Sequence, residues 1–322
     1  MNTTTNGTLL KLTEKLASDF FPVTLLLGLE TIVGCTVSSL VLYMFARYRE
    51  PSNYRTFVIS LCLIDGVCSL TTIPGDIVSH RFWYMYPSKT ICKIKDFFNI
   101  FTVSTEALCL LLIATERYFL VRSDGYRIGS RLAVALCCLS YIVAALMAIP
   151  SPYLWGLRTK SLEVNNTLIN ATLCEKDAEY EDTNLPEIYQ LCIGALIASI
   201  LIVTCSIYFK IWKLTSSPVH ADDAMASMHR HTKIFCGITI FFFITVCLYF
   251  TMTSILGNAN NVFDHLTNSG KVAYFFFLRF YFIHHVLNPF IYAIYDRIIR
   301  YEIKTRVCYT CCERESPYTQ II

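Results

Sequence analysis

Four polar side chains sit where the chain is otherwise apolar: Asp65, Glu106, His284 and Asn288. An ionisable group at such a depth costs about 3 kcal/mol or more unless it is paired, so each one marks a candidate functional site. His284 and Asn288 stand four residues apart, one helical turn, and could complete a polar cluster with the two acids. Two carboxylates held close together repel, and a proton or a bound cation between them relieves the repulsion. A second constellation is Glu116-Arg117-Tyr118, an acid–base pair closing a long apolar run. Such a pair makes a guanidinium tolerable at a membrane boundary, and releasing it frees that guanidinium for a partner. No HExxH occurs, and no nucleophile has a base at useful spacing, so enzyme chemistry is not expected.

One run must position most of these groups. From Cys92 to Arg122 the chain reads CKIKDFFNIFTVSTEALCLLLIATERYFLVR. The 25 steps from Cys92 to Arg117 span about 37 Å as a helix, more than the ~30 Å apolar core of a bilayer. Glu106 lies about 16 Å and Asn99 about 27 Å from Arg117 along one helix face. Seven such apolar runs can be marked, at 20–45, 54–78, 94–121, 132–153, 188–212, 233–256 and 272–294.

Composition agrees. Of 322 residues 54% are hydrophobic and 16% charged, and mean hydropathy is +0.48, well away from a soluble domain. A net charge of +3 without a dense basic patch argues against nucleic acid as a partner. Most of the 15 cysteines fall inside apolar runs and read as small buried hydrophobes rather than zinc ligands.

The predicted class is an all-α membrane protein: a seven-transmembrane helix bundle with a short amphipathic eighth helix on the cytoplasmic side. An extracellular segment covers 1–19, the bundle 20–294, and the eighth helix with a cytoplasmic tail 295–322. Sixteen of the 27 Lys and Arg fall on one side of the bundle, which becomes the cytoplasmic one. The sequons at Asn2, Asn6, Asn165 and Asn170 all fall on the other side, as N-glycosylation requires. Cys92 and Cys174 are the only cysteines in the outer segments. A disulfide between them would tie the long second outer loop to the third helix; two free thiols are the alternative. Six acids against three bases in that loop could steer a cationic ligand, or simply form a solvated surface. Beyond Tyr292, the amphipathic stretch 296–303 suits the inner leaflet, and Cys308, Cys311 and Cys312 follow as palmitoylation candidates.

With these motifs in order, one per helix, the chain resembles the rhodopsin-like (class A) G-protein-coupled receptors over roughly 20–306. Asp65, Cys92 with Cys174, Glu116-Arg117-Tyr118, Tyr208 and Asn288-Pro289-Phe290-Ile291-Tyr292 carry the resemblance. It implies a plasma-membrane receptor that binds an extracellular ligand and activates a heterotrimeric G protein. Glu116, Arg117, Tyr118, Tyr208, Asn288, Pro289 and Tyr292 then form the activation switch, with a kink expected at Pro289. Asp65, Glu106, His284 and Asn288 become a sodium- or proton-responsive pocket, and Asn99 faces the ligand cavity. Amine receptors carry an aspartate at that place, and opsins a lysine in the seventh helix where this chain offers Arg279. A peptide ligand is therefore favoured, with Phe82-Trp83-Tyr84 resembling an aromatic patch of peptide-binding members or an interfacial belt.

The sequence also departs from that family. Ser38 replaces an asparagine, Tyr141 a tryptophan and Ile200 a proline, and Glu106 stands where a small hydroxyl is usual. The sixth helix reads Cys247-Leu248-Tyr249-Phe250, without the family's tryptophan and proline, and His229-Arg230-His231 lacks a glutamate to pair with Arg117. A weakly latched receptor with basal activity is expected. The competing reading is a transporter or channel using Asp65, Glu106 and His284, although no internal repeat supports it.

Overall fold

The computed structural model describes residues 2–47, 52–122, 128–164, 167–215, 223–258 and 266–295. Among the described residues, six helices are long and apolar enough to cross a membrane: Phe21–Ala46, Asn53–Arg81, Lys89–Arg122, Ser130–Leu154, Leu185–Thr215 and His231–Thr253. The seventh span is assembled from Asn268–Arg279, a 3-10 turn at Phe280–Phe282 and Ile283–Tyr295. These seven spans, numbered here in chain order, form the expected all-α bundle. The stretch 296–303, Cys308, Cys311, Cys312 and Asn165 lie outside the described residues.

The burial pattern is that of a protein solvated by lipid. Ile32, Leu70, Leu146 and Leu191 are exposed, whereas Asp65, Glu106, His284, His285 and Asn288 are 0% exposed. Apolar side chains turned outward and ionisable ones turned inward fit a lipid surround, where only helices with internal hydrogen bonds are viable.

Local sequence explains the irregularities. Ser52 caps the second span, its Oγ accepting from the Arg55 amide at 3.2 Å. That span breaks at Leu70–Thr72, where Pro74 cannot donate to the carbonyl of Leu70. The Thr71 hydroxyl donates to Val67 O at 2.6 Å and takes up part of the slack. The fourth span ends where Pro150 and Pro152 follow. Close helix contact also has a sequence cause. A Cβ on Gly34 would meet the Ser69 hydroxyl and lie 3.3 Å from Ser69 Cβ, so Gly34 eases the close approach of the first two spans.

Two features lie at the end marked by Cys92. The long loop folds as an antiparallel hairpin, β1 (Trp155–Val164) and β2 (Thr167–Lys176), in register from Trp155 opposite Lys176 to Val164 opposite Thr167. Residues 2–19, assigned from sequence only as an outer segment, form a helix, Asn2–Asp19, whose Leu9 packs with Ile169, Ala171 and Leu173 of β2.

Candidate functional site: a polar column along the third span

The third span carries three polar joints on its inward side. Nearest the hairpin, Asn99 Nδ2 donates to the Tyr249 hydroxyl at 3.1 Å, and the Tyr281 hydroxyl donates to Asn99 Oδ1. Asn99, partly exposed, is thus bound to the sixth and seventh spans. Tyr249, in the segment that departs most from the class A pattern, supplies one of those contacts.

At mid-depth, Glu106 gathers the second joint. His284 Nε2 lies 2.7 Å from Glu106 Oε2, and Asn288 Nδ2 donates to Glu106 Oε1 at 2.9 Å. The four residues singled out by sequence do converge, joined by His285. Its Nδ1 sits 2.8 Å from Asp65 Oδ1 and 3.2 Å from Glu106 Oε2, bridging the two acids. Sequence reading missed His285 because neighbours on a regular helix point about 100° apart. Both rings are nonetheless buried, with centroids 3.9 Å apart, each reaching Glu106 Oε2 from its own side. Asp65 Oδ2, His285 Nε2 and Asn288 Oδ1 have no hydrogen-bond partner among the described residues. The donor set is nitrogen and oxygen, not the all-oxygen cage that suits a hard monovalent ion.

The third joint is Glu116-Arg117, both nearly buried. Arg117 Nε lies 2.9 Å from Glu116 Oε2, and Asn53 Nδ2 donates to Glu116 Oε1 at 3.2 Å and to Ile128 O at 2.7 Å. The second span therefore holds the acid that holds Arg117. Tyr118 accepts from Arg122 Nη1 at 2.8 Å. Tyr208 and Tyr292 are buried, and neither hydroxyl has a hydrogen-bond partner among the described residues. The side chains at 229 and 230 are outside description, but His231 stacks on Tyr54 of the second span with centroids 4.1 Å apart. Pro289 lies inside the continuous helix Ile283–Tyr295. A separate irregularity, the 3-10 turn at Phe280–Phe282, precedes this helix.

Toward the hairpin, a charged network joins the second, third and seventh spans. Arg279 Nη1 pairs with Asp76 Oδ2 at 2.9 Å, and Lys95 Nζ lies 3.9 Å from Asp76 Oδ1 and 3.5 Å from Asp96 Oδ1. Lys95 crosses Gly75, whose added Cβ would lie 2.6 Å from Lys95 Cγ. Asp76, Lys95 and Asp96 were passed over in the sequence because their runs end in polar residues; their spacing to Arg279 is purely tertiary. Glu30, buried in the first span with neither oxygen hydrogen-bonded among the described residues, was also passed over. Trp83 packs edge-on against Phe275 and Phe20, at 5.1 and 6.1 Å, whereas Phe82 is exposed.

Cys92 and Cys174 form a disulfide with Cα atoms 5.7 Å apart. It fixes β2 to the third span, aided by Lys89 Nζ 2.9 Å from Asp177 Oδ2. Burial pushes the Asp177 carboxyl up, but the Lys89 ammonium and the Glu179 amide outweigh it and hold it below the ordinary carboxylate range. With Arg158 also pairing Glu181, the acidic loop is partly neutralised from within, which weakens its expected steering field. Asn170 is exposed on β2, while Asn2 and Asn6 fall on the N-terminal helix.

One family departure is structurally answered: the Tyr141 hydroxyl donates to Ser60 O at 2.7 Å, joining the second and fourth spans. Ser38 is buried, its hydroxyl without a hydrogen-bond partner among the described residues.

Comparison with known proteins agrees with this geometry. Residues 38–292 match the model of the 7 transmembrane receptor (rhodopsin family). The chain is 21% identical over 238 residues to the neuropeptide CCHamide-1 receptor of Drosophila melanogaster, a match covering 70% of this chain and 46% of that receptor. It is 22% identical over 306 residues to the human histamine H2 receptor, covering 91% of this chain and 80% of the other. A shorter match, 24% over 125 residues, joins 38% of the chain to 33% of the human neuropeptide Y receptor type 4-2.

Proposed function

Because the chain belongs to the rhodopsin family of seven-transmembrane receptors, we propose that it converts binding of an extracellular peptide at its disulfide end into activation of a heterotrimeric G protein at its Arg117 end. A receptor, not an enzyme, it uses its side chains to hold and release helices rather than to make bonds. The single observation that carries the proposal is the column on the third span. Asn99, Glu106 and Glu116-Arg117 tie that helix in turn to the sixth and seventh, the second and seventh, and the second spans. A ligand that displaces Tyr249 or Tyr281 from Asn99 changes the partners of the same rigid helix whose other end holds Arg117. Release of Arg117 from Glu116 then exposes a guanidinium to the G protein, provided the ligand binds the released arrangement more tightly.

The peptide reading rests on what surrounds Asn99. Asn99 itself carries no charge for an ammonium, and Asp76, the acid paired with Arg279, is already neutralised. The names of two relatives speak for peptides and that of the histamine receptor against, and the local chemistry supports the peptide reading. In this orientation Asn170 is available to a glycan and the lipid-exposed apolar surface sits within the plasma membrane.

The test is nucleotide exchange on a panel of G proteins by the purified receptor in lipid nanodiscs, with a peptide library and an amine library in parallel. Exchange stimulated by a peptide and lost in Arg117→Ala is expected. Exchange with no G protein of the panel, or stimulation by amines alone, overturns the coupling or the peptide assignment respectively. Ion flux by the same protein in liposomes would instead favour the transporter or channel reading, whose support is the buried Asp65, Glu106 and His284.

A further inference from the structure

We propose that the mid-depth cluster is a site for a divalent transition-metal ion of the zinc class, with Glu106, His284 and His285 as ligands and Asp65 completing the set. It rests on the receptor reading only for its membrane setting.

The donor atoms are already assembled. One donor atom each from Glu106, His284 and His285 lies within 4.8 Å of the others, and all three residues are buried. His284 Nε2 and His285 Nδ1 lie 2.7 and 3.2 Å from the same oxygen, Glu106 Oε2, and Asp65 Oδ1 is 2.8 Å from His285 Nδ1. Tetrahedral zinc with bonds of about 2.0–2.2 Å needs donors about 3.3–3.5 Å apart. Opening the two shortest contacts by about 0.5–0.8 Å brings this hydrogen-bonded knot to that geometry.

Charge selects the ion. With both carboxylates ionised and both imidazoles neutral, as ligation requires, one divalent cation brings this buried ligand set to zero charge. A monovalent ion leaves one negative charge uncompensated. Ligand softness selects in the same direction, because imidazole nitrogen suits zinc, copper or nickel and adds nothing for sodium.

The outer contacts fit too. With Nε2 on the metal, His284 carries its proton on Nδ1, which lies 3.5 Å from Thr245 Oγ1 of the sixth span. With Nδ1 on the metal, His285 carries its proton on Nε2. Each change is a shift of one proton within the same ring, and no proton leaves neutral imidazoles. Asp65 Oδ2, buried and without a hydrogen-bond partner among the described residues, gives the second acid spare acceptor capacity in the cluster. The bound ion would join the second, third and seventh spans directly and reach the sixth through Thr245, stabilising one arrangement of the bundle.

Full-length receptor in nanodiscs, stripped with a chelator and re-equilibrated with micromolar Co²⁺ or Zn²⁺, provides the test. Expected are about one metal ion per receptor by elemental analysis and the intense visible bands of tetrahedral Co²⁺. Both should be lost in His285→Ala and in Glu106→Gln, and kept in His231→Ala, a histidine elsewhere in the bundle. A raised Tm with Zn²⁺ should disappear in the same two variants. Absence of bound metal, cobalt spectra of octahedral form, or uptake unchanged in His285→Ala each overturns the proposal, as does a Tm that responds to sodium but not to zinc. If the variants fail to fold, the cobalt spectrum of the unmodified receptor alone decides. None of these readouts uses a G protein, so failure of the metal site and failure of the signalling reading are distinguishable.

Discussion

Asn99 and Tyr249 share a hydrogen bond across the third and sixth spans, the amide Nδ2 donating to the tyrosine hydroxyl at 3.1 Å. The Tyr281 hydroxyl closes the joint from the seventh span, and the two tyrosine rings lie 4.6 Å apart. The sixth helix therefore has a specific anchor in the segment that lacks the family's tryptophan and proline. Tyr249→Phe keeps the ring and removes the hydroxyl. A net loss of about 1 kcal/mol in the anchored state would raise basal nucleotide exchange about fivefold. Unchanged basal exchange, at equal receptor density, would show that the joint does not bias the two states.

At the opposite end, where the lack of a glutamate near His229-Arg230-His231 leads to the expectation of a weak latch, His231 stacks on Tyr54 at 4.1 Å, and among the described residues Arg117 pairs with Glu116. Glu116→Gln removes the charge that holds Arg117, and His231→Ala removes the stack. Each should raise basal exchange, the stack by about two- to tenfold given the usual strength of an aromatic pair. Arg117→Ala should abolish exchange in both backgrounds. A His231→Ala variant with lower basal exchange than its parent would show that the stack belongs to the active arrangement.

How far the sequence reached depends on whether a feature is local. The seven spans were legible because each needs only its own apolar run, and the column of Asn99, Glu106 and Arg117 because one helix fixes their phase. Cys92 and Cys174 were legible because topology left them alone on one side. His285 was not, since on one helix it points about 100° from His284, and its reach to Asp65 and Glu106 needs partners on the second and third spans. The Asp76–Arg279 pair joins residues about 200 positions apart, and no periodicity encodes such a meeting. The same holds for Tyr249, whose role needs a partner on another helix.

The Cys92–Cys174 disulfide closes a long loop, its ends 82 positions apart. Chain-entropy arguments assign such a crosslink about 4 kcal/mol, carried by the loss of freedom in the unfolded chain. Replacing both cysteines by serine should lower the Tm of the detergent-solubilised receptor by about 10 °C. The Lys89–Asp177 pair would remain as a weaker tether at the same place. A Tm within about 2 °C of the parent would mean that the hairpin is held by its other contacts, chiefly the Leu9 cluster.

Glu175 gives the hairpin a pH dependence. Burial against the hairpin pushes its carboxyl up, and Lys160 and Arg158 only partly counter this. The folded state thus holds the proton more tightly than the unfolded chain does. Its favourable contribution is complete below the ordinary carboxylate range and is lost as pH rises through the raised value. Glu175→Gln resembles the protonated form at every pH. At pH 7 this variant should be more stable than its parent by about 1–3 °C in Tm, and near pH 4 the two should coincide. Thermal unfolding of both proteins in detergent between these pH values measures the crossover. A variant less stable at pH 7 would mean that the carboxylate's attraction to Lys160 and Arg158 outweighs its desolvation.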